Sequence, residues 1–302
     1  MRFVKGHGTE NDFVILPDPD GALDLTPEAV ARLCDRRAGI GADGVLRVVR
    51  AKASGDPAIE ALTAGTGVEW FMDYRNADGG IAEMCGNGTR VFARYLVDAG
   101  LAAPGEWDVA TRAGLRRVTL GVTGDVSVDM GPPRHLGTGE AETADGAFTG
   151  HRVSMGNPHL ACRVDGPVAA LDLTRAPAFD AAVFPEGVNV EFFRQIGDRH
   201  LEMRVYERGS GETRSCGTGT VAAAVAAALG EPAPGEPAPG EPAPGEPAPG
   251  GAHDPAADGL PRGEWTVDVP GGRLTVTLDG TTSHLKGPAV LVAEGETRAD
   301  RP

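Results

Sequence analysis

Two short stretches carry the residue types for proton chemistry, Cys85-Gly86-Asn87-Gly88-Thr89 and Cys216-Gly217-Thr218-Gly219-Thr220. Each follows a strand-like run and a glycine-rich loop, and each opens a helical pattern. With Cys85 set on Cys216, Gly80 falls on Gly211 and Asn76 on Glu207. Trp70, Met72 and Tyr74 then fall on Leu201, Met203 and Val205. Both trios sit at period two, the spacing of half-buried strands. The chain therefore carries a duplicated strand–loop–Cys-Gly-x-Gly-Thr–helix unit, one copy in each half, and the duplication points to two equivalent thiols facing one another.

A cysteine at a helix start meets unpaired N–H groups and the positive end of the helix dipole. Its thiol can fall from about 8.5 to somewhere near 3.5–7.5 in such a place. The Gly-x-Gly that follows lets the backbone approach a ligand and aim N–H groups at a carboxylate. Two such starts aimed at one point would hold a carboxylate between two thiols. One thiolate would take a proton from one face of the α-carbon, and the opposite thiol would deliver one to the other face. The helix starts would stabilise the enolate-like charge in between. Other readings are a tight turn with a buried thiol, a zinc site and a redox disulfide. Zinc needs further ligands at ligand spacing, and neither copy has a second cysteine within reach. The Cys-x-x-Cys spacing of redox pairs is absent. No lysine lies near either motif and no dinucleotide fingerprint precedes the helices, so neither a pyridoxal nor a flavin site is expected.

The elements that must position these thiols follow along the chain. Strands are expected over residues 2–5, 13–16 and 45–50, with a glycine-rich loop at 6–12 and a helix over 27–37. Residues 51–67 carry no period and suggest a surface connection. After the first helix, 87–97, come strands at 107–111, 115–121 and 125–130, and Gly131-Pro132-Pro133 marks a domain boundary. Residues 137–150 suggest a polar loop. Strands at 160–164 and 188–193 lead to the second unit, whose helix at 220–229 is apolar all round and must be enclosed. A hairpin over 265–278 and a last strand at 289–293 follow. Cys34 and Cys162 fall on apolar faces and suggest core positions. At 302 residues the chain has room for two domains. The net charge of −15, with no basic run, argues against nucleic acid and anionic membranes. The first residues lack an apolar signal region and the longest apolar run is too short to span a bilayer, so a cytoplasmic enzyme or binding protein is expected.

The chain resembles the diaminopimelate epimerases, cofactor-independent enzymes of bacterial lysine and peptidoglycan biosynthesis. The residues that carry the resemblance are Asn11-Asp12-Phe13, Arg75-Asn76-Ala77-Asp78-Gly79, Met84-Cys85-Gly86-Asn87-Gly88, Gly156-Asn157-Pro158-His159, Gly187-Val188-Asn189-Val190, and Val205-Tyr206-Glu207-Arg208-Gly209 through Cys216-Gly217-Thr218-Gly219. The resemblance implies an α+β fold of two pseudo-symmetric domains. Each would be a mixed sheet or barrel rolled around a central helix, with the active site in the interdomain cleft. The domains would be 1–130, joined by a closing strand at 288–302, and 131–287. By resemblance Cys85 and Cys216 are the acid/base thiols. Asn11, Asn76, Asn157, Asn189 and Arg208 contact the substrate, and the amides of Gly86, Asn87, Gly217 and Thr218 hold the reacting carboxylate. His159 and Glu207 set thiol protonation or bind the reacting amine. Diaminopimelate is the implied substrate, no cofactor or metal is implied, and a homodimer is compatible with the sequence. A proline or hydroxyproline racemase of the same two-thiol design is the nearest alternative. Beyond it stands a non-catalytic amino-acid-binding or thiol-redox protein.

The resemblance is interrupted at 231–262, where Glu-Pro-Ala-Pro-Gly occurs four times between Glu231 and Gly250. Its prolines forbid helix and strand ladders, and it offers nothing larger than alanine to bury. A solvated, partly polyproline-II excursion is expected. Deleting Glu231 to Gly250 should leave activity and thermal midpoint nearly unchanged, since loop-closure entropy varies weakly with length. A large fall in either, read by calorimetry and an activity assay, would show that the tract packs on the body.

Overall fold

The computed structural model describes residues 1–230 and 261–297. The chain divides into two compact units, Met1–Asp129 with Lys286–Pro302, and Met130–Leu285. The proline-rich tract expected from Glu231 lies outside the described residues. Its expected end at 262 moves back, because Arg262 already pairs with Asp279.

The first unit opens with an antiparallel hairpin of β1 (Arg2–Gly8) and β2 (Asn11–Pro17). The loop expected over 6–12 shrinks to two residues, Thr9 and Glu10, with φ of 50° and 60°. Paired left-handed residues match the twist of the flanking strands, which outweighs a strain of about 1–2 kcal/mol per residue. Helix α1 (Pro27–Cys34) starts at Thr26, whose hydroxyl accepts from the Ala29 amide. It ends short of the expected Arg37 because the Asp35 carboxylate takes the amides of Arg37 and Ala38. Strand β3 (Gly44–Arg50) runs parallel to β2. The stretch without sequence period contains α2 (Pro57–Thr63), capped by Asp56 and anchored by buried Ile59. Strand β4 (Trp70–Asn76) is buried on both faces from Trp70 to Tyr74, not on one as the period suggested. Helix α3 (Gly86–Asp98), β5 (Gly105–Thr111), β6 (Gly114–Leu120) and β7 (Val126–Gly131) follow. The last strand of the chain, Val290–Glu296, lies antiparallel to β1.

The second unit begins with β8 (Arg134–Thr143) and β9 (Gly146–Ser154), a hairpin where a polar loop was expected. Its small polar residues still alternate, with Ala141 buried between exposed Glu140 or Glu142 neighbours on the other face. Then come β10 (Pro158–Arg163), the short β11 (Ala178–Phe179), β12 (Asn189–Gly197), β13 (His200–Glu207) and β14 (Gly211–Thr213). Helix α4 (Gly217–Leu229), β15 (Arg262–Val269), β16 (Gly272–Asp279) and β17 (Ser283–Gly287) complete it. Strand β17 carried no signal in the sequence.

The pairing sequence is the same in both units. From β1 to β6 neighbours alternate antiparallel, parallel, antiparallel, parallel, antiparallel. Strands β9, β10, β12, β13, β15 and β16 repeat that alternation. Helix α3 leaves β4 and packs on β1, β2, β3, β4 and β6, and α4 leaves β13 and packs on β9, β10, β12, β13, β15 and β16. Helix α4 is buried from Thr220 to Ala226, which explains why it lacks a polar face. Cys34 and Cys162 lie in the cores, with Leu33 and Val30 around the first and Leu160 and Phe192 around the second.

One buried charge cluster holds the first unit's sheet. Asp73 of β4 is 2 % exposed and accepts from Arg75 at 2.8 Å and Arg112 at 2.8 Å, with Arg47 at 3.5 Å. Burial pushes its carboxyl up, but Arg75 and Arg112 outweigh burial and hold it below the usual carboxylate range. A depressed carboxylate contributes stability above its unfolded pKa and loses it as pH falls through the folded one. Asp73→Asn should therefore cost about 3–5 kcal/mol in urea denaturation at neutral pH, because it strands buried arginines. The gap to the unsubstituted protein should narrow on acidification below about pH 4. A gap that stays constant in acid would contradict the ion-pair account.

Candidate active site

Each duplicated helix begins with a cysteine N-cap of the same geometry. Cys85 has φ −142° and ψ 118°, and Cys216 has φ −121° and ψ 117°. Each sulfur accepts from the third amide of its helix, Gly88 or Gly219, at 3.4 Å. Each carbonyl accepts from a threonine hydroxyl one turn on, Thr89 at 2.9 Å and Thr220 at 2.7 Å. Gly86 and Asn87, and likewise Gly217 and Thr218, occupy the first two helical positions, whose amides have no carbonyl within the helix. Cys85 is half-buried and Cys216 buried.

In the first unit Asn11 opens β2 because the hairpin turn is so short. Its Oδ1 lies 3.7 Å from the Cys85 sulfur and accepts from Asn87 Nδ2 at 3.2 Å, while its Nδ2 donates to Asp43 at 2.8 Å. Asn76 stands apart, exposed at the end of β4. Burial pushes the neighbouring Asp12 carboxyl up, but Arg36 and Lys5 hold it well below the ordinary range.

In the second unit a continuous polar chain runs to Cys216. Glu191 Oε1 lies 2.7 Å from His159 Nδ1, and His159 Nε2 lies 3.1 Å from Asn157 Oδ1. Asn157 Nδ2 lies 3.5 Å from Thr218 Oγ1, itself 3.5 Å from the Cys216 sulfur. His159 thus bridges Glu191 and Asn157 through its two ring nitrogens. Burial pushes the Glu191 carboxyl up against the opposing pull of His159. Burial, then Glu207 and Glu191, raise the Cys216 thiol well above its ordinary value, although Thr218 and the Gly219 amide favour the thiolate. The helix start alone suggested a lowered thiol; for Cys216 desolvation and two carboxylates win.

Asn189 straps this region together, donating to the Pro158 carbonyl at 3.1 Å and accepting from the Arg208 amide at 3.0 Å. Arg208 donates to the Glu186 carbonyl at 2.9 Å and is 41 % exposed, which leaves much of its guanidinium facing outward. Glu207 accepts from the Thr213 hydroxyl.

Two buried polar residues beside the thiols escaped the sequence reading, Glu191 and Arg90. Glu191 lies inside the apolar run Val190 to Phe193, and an acid in a fully buried strand was the available signal. Arg90 lies in the second turn of α3 at 0 % exposure, one turn after the buried Asn87.

Among the described residues no group of three or more histidine, cysteine or acidic side chains could hold a metal ion. No described helix is long and apolar enough to cross a membrane. The model of the diaminopimelate epimerase family matches residues 3–136 and 152–235. A Thermobifida fusca protein named diaminopimelate epimerase is 57 % identical over 301 residues, covering 99 % of this chain and 98 % of that one. Among solved structures, a phenazine biosynthesis protein from Bacillus anthracis superposes with a TM-score of 0.63 at 15 % identity, over 98 % of both chains. A hydroxyproline epimerase from Agrobacterium vitis gives a TM-score of 0.63 at 14 % identity, over 98 % of this chain and 91 % of that one. At those identities the likeness is one of fold, a strand-rich mixed α/β architecture.

The helix starts differ underneath. A β-carbon on Gly219 would lie 2.5 Å from Glu191 Oε1, an oxygen pinned by His159, whereas one on Gly88 would meet Leu46 Cδ2 at 3.2 Å. Gly219→Ala should destabilise by about 1–3 kcal/mol through overpacking. Gly88→Ala should stay within about 1 kcal/mol, because the helix gains from alanine. Equal effects in denaturant titrations would contradict the placement of Glu191.

Proposed function

The chain belongs to the diaminopimelate epimerase family, and we propose that it interconverts LL- and meso-diaminopimelate by moving the α-proton between Cys85 and Cys216 without a cofactor. The observation that carries this reading is the paired cysteine N-cap, two thiols in one backbone geometry at two helix starts. In the proposed arrangement the domains 1–130, with the closing strand, and 131–287 are pseudo-symmetric. They bring the helix starts to opposite faces of one α-carbon in the cleft between them.

A thiolate on one face takes the α-proton and becomes a thiol, while the thiol opposite gives its proton to carbon and becomes the thiolate. Proton transfer by a positioned group contributes ~10²–10⁴-fold. The amides of Gly86, Asn87, Gly217 and Thr218 hold the reacting carboxylate and stabilise the charge that moves onto it. Asn11, Asn76, Asn157 and Asn189 orient the substrate. Glu207 receives the reacting amine. His159, bonded at both ring nitrogens, helps set thiol protonation through Asn157 and Glu191. Arg208 grips the distal carboxylate with its planar fork. A second amino-acid end favours diaminopimelate over a proline or hydroxyproline ring, which has no group for Arg208. The reaction places the protein in the cytoplasm, in lysine and peptidoglycan precursor synthesis, and a homodimer is compatible with it.

Purified reduced protein incubated with LL-diaminopimelate in D₂O should form the meso isomer and exchange the α-proton. Cys85→Ala and Cys216→Ala should each abolish interconversion while folding normally, with residual exchange biased to opposite epimers. A single variant that still interconverts both epimers near the unsubstituted rate would sink the mechanism. Arg208→Ala should raise KM by the equivalent of about 2–5 kcal/mol with its thermal midpoint kept. Unchanged kinetics would assign the distal carboxylate to another group.

A further inference from the structure

An asparagine amide has a donor end and an acceptor end, and its partners decide which way it points. Asn11 follows directly on Thr9 and Glu10, the two left-handed residues of the β1–β2 turn, so a strained hairpin sets its place. Its Nδ2 lies 2.8 Å from Asp43 Oδ2, and Asp43 Oδ1 is paired with Arg36 at 2.6 Å. An ionised carboxylate only accepts, so the Asn11 nitrogen faces Asp43 and the Asn11 oxygen faces away from it. That oxygen takes Asn87 Nδ2 at 3.2 Å on one side and has the Cys85 sulfur at 3.7 Å on the other.

The far end of the chain gives the same direction. Arg90 Nη2 lies 2.9 Å from Asn87 Oδ1, and a guanidinium only donates, so Asn87 keeps its nitrogen for Asn11. A donor-only group and an acceptor-only group thus close the two ends of an amide pair. Asp43 Oδ2 also accepts from the Asp12 amide at 3.1 Å, which holds the carboxylate independently of Asn11. The second copy is built otherwise. With Asn76 aligned on Glu207, Val45 and Val190 hold the same place in their sheets, since they pair with Arg75 and Tyr206. Asp43 then corresponds to Val188, which has no group to direct an amide.

We propose that Asp43 is a positioning residue, turning the Asn11 amide so that its oxygen takes the Cys85 S–H and holds that proton on the thiol in the free enzyme. This rests on the two-thiol reading. The Gly88 amide at the same sulfur favours the thiolate, so Asn11 opposes the helix start. When Cys85 delivers its proton, the S–H bond breaks as the C–H bond forms, and the contact with Asn11 is given up. Several charged groups around this helix start are paired with one another. Asp12 is held by Lys5 at 2.6 Å and Arg36 at 2.7 Å, and Arg75 by Asp73 at 2.8 Å. His7 accepts from the Glu10 amide at 3.3 Å. Arg90, exposed Glu83 and Asp125 are the same in every variant compared below, so their fields cancel.

Thiol titration tests this without turnover. In Cys216→Ser the remaining cysteines besides Cys85 are Cys34 and Cys162, both buried, and burial pushes the Cys34 thiol up to about 11. Iodoacetamide alkylation of Cys85, followed by mass spectrometry across pH, gives its titration midpoint because the thiolate is the nucleophile. Adding Asn11→Ala should lower that midpoint by about half a unit and speed alkylation at neutral pH about threefold. Asp43→Ala should lower it by less, because Asn87 still holds the oxygen, and should add nothing in the Asn11→Ala background. Asp43→Asn keeps an oxygen for Asn11 without the charge and should leave the midpoint in place. A drop in Asp43→Asn equal to that in Asp43→Ala, or one that persists without Asn11, would mark a charge effect and overturn the proposal. If Asp43→Ala does not fold, the other two variants decide: an unmoved midpoint in Asn11→Ala or a drop in Asp43→Asn overturns it. Absence of diaminopimelate turnover would instead refute the functional reading and leave these midpoints interpretable.

Discussion

The sulfur-to-amide contact at the two helix starts is the constraint on which the rest of the architecture depends. A cysteine caps a helix less well than serine, threonine or aspartate, which dominate that position. Here it does so twice, with Gly88 and Gly219 donating at the same 3.4 Å. To hold a thiol there, the strand before it must end at a fixed height and the loop must return the chain to the helix axis. The first helical residues must also be small enough for a ligand's approach. Strands β4 and β13, the glycine-rich loops and the Gly-x-Gly steps meet those requirements. The shared alternation of parallel and antiparallel pairings in the two units is the scaffold that repeats them.

What is duplicated is the backbone, and what is not duplicated is the charge. Among the positions that differ in charge are Arg90 against Val221, Asn76 against Glu207 and, by strand pairing, Leu46 against Glu191. Proton transfer between two equal thiols has no preferred resting state. At Cys216, burial with Glu207 and Glu191 nearby favours the neutral thiol. Arg208 beside Glu207 likewise aligns with the uncharged Ala77 beside Asn76 in the first copy.

The sequence was most informative where local chemistry and geometry coincide. Cysteine followed by Gly-x-Gly-Thr marks a helix start by itself, and the repeat located both starts and the strands before them. It was least informative where tertiary burial decides. Strand β4 reads as half-buried, but packing on both faces covers Phe71 and Asp73 as well. The hairpin of β8 and β9 has the composition of a loop, and only its cross-strand ladder makes it a sheet. Helix α2 is seven residues long with one buried anchor, Ile59, too little for a period. The direction of the Cys216 shift was also hidden, since it depends on burial first, then on Glu207 and on Glu191, which β12 brings beneath α4.

The central claim is that Cys85 and Cys216 act on one carbon from opposite sides, and a zero-length cross-link examines it most directly. Mild oxidation of the reduced protein, followed by digestion and mass spectrometry, should yield one new disulfide joining the Cys85 and Cys216 peptides. Epimerase activity should be lost in proportion and return with reductant. Loss of activity with both thiols oxidised separately, or with either joined to Cys34 or Cys162, would contradict the account.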